Sequence, residues 1–192
     1  MTLGFSRTWG KEMGELAGMP TYFIQGIWLG LIELDLLTMH DMSEYAQKHF
    51  DKFGKGWDID YKLQHPKIHT MRYDPHHRWK PGRKIHFVIN NRTKNRFQFA
   101  PIINCTDTQE VLIKNYKAED VFTVRDLDGI PMYGYDWGDN YSTVSIDGRP
   151  LNAREIWRLA RNDGFGSVES LLKFFNKPVN EISLIHWVNV KY

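Results

Sequence analysis

HPKIHTMRYDPHHRWKPGRKIHF, residues 65–87, decides how this chain is read. Lys67-Ile-His-Thr-Met-Arg72 alternates as a short strand would, over Lys67 to Tyr73. Arg78-Trp-Lys-Pro-Gly82 is a turn, and Lys84 to Ile89 is a second strand. The segment is also one-signed in charge. Residues 62–96 hold ten Lys or Arg and one acid, Asp74, which makes them +9, so the rest of the chain sums to −7 for a net +2. Such asymmetry points to an anionic partner, nucleic acid or a phosphorylated small molecule.

Outward from there, the chain reads as α+β. Its 192 residues suit one domain. Residues 1–18 are Gly-rich and weakly patterned, and are expected to be a loose arm before a single domain over 19–192. Phe23, Ile24, Ile27, Trp28, Leu31 and Leu36 sit at helical spacing and predict a helix over Thr21 to Leu37. Asp41 can cap a second helix over Met42 to Phe53, with Tyr45, Phe50 and Phe53 as its face. Asn90-Asn-Arg92 is a turn. Arg96 to Cys105 and Thr108 to Ile113 form one long strand, or two with a bend near Thr106-Asp107. Val121 to Val124 and Thr143 to Ile146 are further strands. Asn152 caps a helix to about Arg161, Asp163-Gly-Phe-Gly stops it, and Ser167 caps another to Phe175. Ile182 to Tyr192 closes the chain as a strand with alternate residues facing one side. Mostly antiparallel strands flanked by short helices suggest a sheet that closes into a small barrel.

The composition excludes several classes. A single cysteine, Cys105, allows no internal disulfide and no multi-thiolate zinc site. Phe23 to Leu37 is the most apolar stretch and is too short and too charged to span a bilayer. No signal-length apolar run opens the chain. A soluble, cytoplasmic protein is expected. His65-x3-His69 and His76-His77 could offer imidazoles to a metal, but Pro66 and the β pattern deny the first pair its helical spacing. No metal or other cofactor is expected, and the oligomeric state is open.

The motif Lys67-x-x-Thr70-x-Arg72, the aromatic-Lys-x-Gly turn at Trp79, Lys80 and Gly82, and Glu155 on a later helix together resemble the ASCH domains of the PUA-like superfamily. Within it they look most like the small amidohydrolases that deacetylate N4-acetylcytidine. The resemblance covers roughly residues 20–37 and 64–192, with 38–63 and 115–150 as insertions. The family's motif glycine is His65 here. The resemblance implies a PUA-like β-barrel, with Lys67 as proton acceptor, Thr70 as nucleophile and Glu155 as proton donor. It implies an RNA or nucleoside/nucleotide ligand at the turn of Trp79 and Lys80, and the cationic crowding adds Arg72, Arg78, Arg83 and Arg92 as ligand or phosphate contacts.

The chemistry is coherent on its own terms. Threonine needs an adjacent base, and a lysine serves only when burial or nearby cations lower its pKa. Structural roles compete at each position. Asn152-x-x-Glu155 also reads as a capping box, Thr70 suits any strand, and Arg72 could hold a buried ion pair. A non-catalytic RNA-binding module, with Arg72, Arg78, Lys80, Arg83 and the Asn90–Arg96 turn on phosphates, is the main alternative. An RNA-cleaving ASCH-like enzyme is a third.

Overall fold

The computed structural model describes residues 1–57, 65–121, 133–176 and 181–192. They form an α+β molecule with two sheets. The first sheet has β1 (Thr2–Gly4), β3 (Lys84–Ile89), β4 (Phe97–Gln98) and β5 (Ile103–Asn104). The second runs in the order β2 (His69–Tyr73), β10 (Ile182–His186), β6 (Asp107–Lys117), β8 (Asn140–Ile146), β7 (Tyr135–Trp137), with β9 (Arg149–Pro150) on β8. Only β1 and β3 pair in parallel; every other described ladder is antiparallel. Among the described strands the two sheets do not join into a closed barrel.

β10 organises the fold. It lies between β2 and β6, and all five of its residues are buried. Ile185, and Trp187 just beyond it, face a core shared with Phe5, Phe87 and Phe99. Ile182 and Leu184 face a second core built on the helices α3 (Ala153–Asn162) and α4 (Val168–Phe174). The expected one-sided strand to Tyr192 is therefore corrected: a central strand covered on both faces is apolar throughout, and it ends at His186.

The N-terminal residues are not a loose arm. β1 pairs with β3, a 3-10 helix spans Lys11–Leu16, and Leu3, Phe5 and Met13 are buried. Three apolar side chains outweigh the weak local patterning of a Gly-rich stretch. Helix α1 (Phe23–Glu33) is shorter than its apolar run. Helix α2 (Met39–Phe53) starts three residues before the expected Met42, because Thr38 is its cap and Asp41 its N3 partner in a capping box. Its covered face is Met42 and His49, while Phe50 points to solvent. The Arg96 to Cys105 stretch breaks into β4 and β5 around Phe99–Ile102, where Pro101 has no N–H to give a ladder. Most of the Val121–Val124 strand lies outside the described residues. No described helix is long and apolar enough to cross a membrane.

Candidate functional site

Lys67 enters β2 through a notch in α1. A Cβ on Gly26 would lie 2.9 Å from the His65 carbonyl oxygen, and one on Gly30 would lie 2.8 Å from that of Lys67. Two missing side chains, one turn apart on α1, let residues 65–68 press against the helix. The Lys67 amide donates to the Gly26 carbonyl at 2.8 Å, and the Ile68 amide donates to the Asn162 carbonyl at 2.9 Å. The lysine is thereby buried, with 1% of its surface exposed.

Its ammonium meets Asp163, the residue at the C-terminal cap of α3. Lys67 Nζ donates to both the carboxylate and the main-chain carbonyl of Asp163. The second carboxylate oxygen accepts from the Met71 amide at 2.9 Å. Asp163 is 2% exposed. The pair is capped by rings: Nζ lies 4.9 Å from the centroid of Phe23 and 5.9 Å from that of Phe5. Burial lowers Lys67 from 10.5 to about 8 against the pull of Asp163, and Arg72 lowers it further. Burial likewise raises the Asp163 carboxyl, opposed by Lys67. The two proton affinities are driven toward each other, as in pairs that share one proton.

Thr70 is 3% exposed and stands opposite Ile185 on β10, on the β2 face that also carries Arg72. Arg72 stacks on Phe5 at 4.8 Å and donates through Nη2 to the Gly4 carbonyl at 2.8 Å, while its Nε has no partner. Lys67 and Thr70 are therefore buried and Arg72 half-buried, and the three do not form an open cationic surface.

Glu155 is elsewhere. Its carboxylate accepts from the Asn152 amide at 3.0 Å and pairs with Arg149 at 2.9 Å, which is the capping-box arrangement. Burial would raise this carboxyl, yet the Asn152 and Arg149 bonds hold it below the ordinary value. Eight residues separate it from Asp163, about 12 Å along a helix. The structure brings Asp163, not Glu155, to Lys67. The sequence displayed that carboxylate only as a helix stop before Gly164. The Gly26-x3-Gly30 spacing was the available hint that α1 receives a close backbone, but it does not say whose.

The cationic turns are placed differently again. Trp79, expected to present its ring to a ligand, is buried in the first core. The cause is Asp74, buried beneath the turn, which takes the Trp79 amide at 2.9 Å and Arg78 Nε at 3.2 Å. Lys80, Arg83 and Arg92 are exposed. Arg92 sits past one end of β3, and Arg78, Lys80 and Arg83 precede the other, about 20 Å apart for six residues of strand. They do not converge on one small ligand. Nor do His65 and His69 meet. His65 is exposed and accepts from Arg161 at 2.6 Å, whereas His69 is fully buried against His186. No cluster of three metal-ligating side chains occurs among the described residues.

A cleft of about 300 Å³ lies over the Lys67–Asp163 pair, walled by Trp9, Tyr22, Gly26, His65, Gly164 and Phe165. A Cβ on Gly164 would lie 3.1 Å from Lys67 Cδ and from the Phe23 ring. The pair is thus one layer below the cleft floor. No protein-family model, curated protein or solved structure matches this chain.

Proposed function

We propose that this protein is an ASCH-type binder of a nucleobase-bearing ligand, and that it hydrolyses an amide on that ligand with Lys67, Thr70 and Asp163. The observation that carries the reading is the buried Lys67–Asp163 pair, on the same short segment as the buried Thr70 and below an aromatic cleft. Asp163 takes the donor role that the sequence resemblance assigned to Glu155. The PUA-like affinity of the fold belongs to the same proposal.

With the shared proton on Asp163, Lys67 is a free amine. Thr70 Oγ bonds to the amide carbon as Lys67 accepts its proton. The carbon–nitrogen bond breaks, and the leaving nitrogen takes the proton of Asp163. Water then releases the acyl group from Thr70 as a carboxylic acid. Arg72, whose Nε has no partner, is the donor available to the carbonyl oxygen. The Phe23 ring must swing aside to admit the carbonyl, since Lys67 and Thr70 are covered.

The test is chromatography of N4-acetylcytidine incubated with the protein. Release of cytidine and acetate, reduced at least about a hundredfold in Thr70→Val and Asp163→Asn, is the expected outcome. Glu155→Gln keeps that turnover within about threefold of native. No release by the native protein overturns the hydrolase reading. The covering of the pair favours one second reading, a non-catalytic module in which Lys67–Asp163 is structural.

A further inference from the structure

Helix α3 carries more than Asp163. Its covered face is Ile156, Leu159 and Ala160. Its other face presents Arg154, Trp157, Arg158 and Arg161. Trp157 is 46% exposed, unusual for a ring of that size, and the Arg161 guanidinium lies 4.6 Å from its centroid. Glu155 is the only acid in α3, and Arg149 pairs with it at 2.9 Å. The face is therefore net cationic, with three arginines against Glu155, which Arg149 pairs and Arg158 also attracts. It is also continuous with the cleft, because Arg161 donates to His65 at 2.6 Å and His65 lines the cleft wall.

An exposed indole flanked by guanidiniums fits stacked bases and phosphates together, while an acidic peptide would use the charges and leave the ring idle. We infer that the outer face of α3 binds single-stranded nucleic acid, with a base on Trp157 and phosphates on Arg154, Arg158 and Arg161, and leads it to the cleft at His65. This rests on the reading of the cleft as a nucleobase site and names its ligand as a base within a strand. The face lies outside the +9 segment; a count of charge along the chain dilutes three arginines that helical spacing gathers on one side.

The experiment is fluorescence anisotropy of a labelled 12-mer single-stranded RNA, the same sequence as single-stranded DNA, and its duplex. Saturable binding of either single strand supports the inference, and the tighter one names the natural strand. Three phosphate contacts give a salt slope of about −2, so raising salt from about 50 to about 200 mM weakens binding about twentyfold. Trp157→Ala weakens it about tenfold. Arg154→Ala with Arg158→Ala lowers the slope to about −0.7. These side chains face solvent, and circular dichroism of each variant checks the fold. Unchanged binding in both variants overturns the inference, as does equally tight duplex binding. Displacement of the RNA by polyglutamate at matched charge also overturns it, in favour of an acidic protein partner. Strand binding without nucleoside turnover overturns only the Lys67–Thr70–Asp163 chemistry. Turnover without strand binding overturns only the α3 platform.

Discussion

Asp163 is where one side chain carries both structure and proposed chemistry. Its two oxygens take Lys67 and the Met71 amide, so it joins α3 to β2. Asp163→Ala would leave Lys67 charged, buried and beside Arg72, and is expected to lose about 3 to 5 kcal/mol in urea unfolding. Asp163→Asn keeps the shape and loses the proton donor, so turnover should fall further than stability. Gly164 has a φ of +81°, and its Cβ would touch Lys67 and Phe23. Gly164→Ala is therefore expected to cost about 1 to 2 kcal/mol, read as a lowered melting temperature. The pH profile follows from the shared proton. Turnover requires the pair to hold one proton, so the rate should fall as pH rises through about 8, where Lys67 and Asp163 together lose it. It should also fall in acid, where the raised Asp163 carboxyl is protonated while Lys67 stays charged. A profile flat from pH 6 to 9 would contradict the assignment.

At the scale of elements, β2 and β10 meet through a histidine pair. His69 and His186 are directly opposed, their ring centroids 5.5 Å apart, and both are fully buried. The Tyr192 ring lies 5.4 Å from His69, and its hydroxyl accepts from Asn162 at 2.7 Å. Burial pulls His186 from 6.5 down to about 4 and His69 well below its usual value. Both rings are thus neutral in the fold and bind protons more readily once unfolded. The sign follows: stability is complete above about pH 6.5 and is lost progressively as pH falls toward about 4. The loss from His186 alone is of order 3 kcal/mol. Chemical unfolding at pH 7 and pH 4 measures it, and His186→Phe should remove that share of the dependence while the part due to His69 remains. The β1–β3 pairing makes a matching claim for the N-terminus. Phe5 is buried and covers both Lys67 and Arg72, so Phe5→Ala should lose about 3 to 5 kcal/mol, which a loose arm would not.

At the scale of the whole molecule, three groups of cations are placed for different work. Lys67 is buried with Asp163, and the half-buried Arg72 stacks on Phe5. Arg78, Lys80, Arg83 and Arg92 flank the two ends of β3 in solvent. The arginines of α3 lie on its outer face, where Arg161 bonds His65 of the cleft wall. Salt should separate them. Turnover of a neutral nucleoside depends on the buried group, which salt hardly screens, and should change less than about twofold between about 50 and about 500 mM salt, whereas strand binding falls steeply.

Much of the architecture was legible in the sequence because its causes are local. Asn152 and Ser167 cap helices through bonds spanning three residues, whereas Asp41, read as a cap, is the N3 partner of Thr38. Period-two and period-3.6 patterns marked β2, β3, α1 and α3, and the cationic crowding of residues 62–96 is a matter of counting. Composition pointed to a positive segment but could not say which of its charges is buried. That was decided by a glycine notch in α1 and by the end of α3, which meet Lys67 from positions 41 and 96 residues away. Burial and pairing depend on such distant contacts, so the acid beside Lys67, the closure of the N-terminal strand and the aromatic-arginine face beside the cleft emerged only from the tertiary fold.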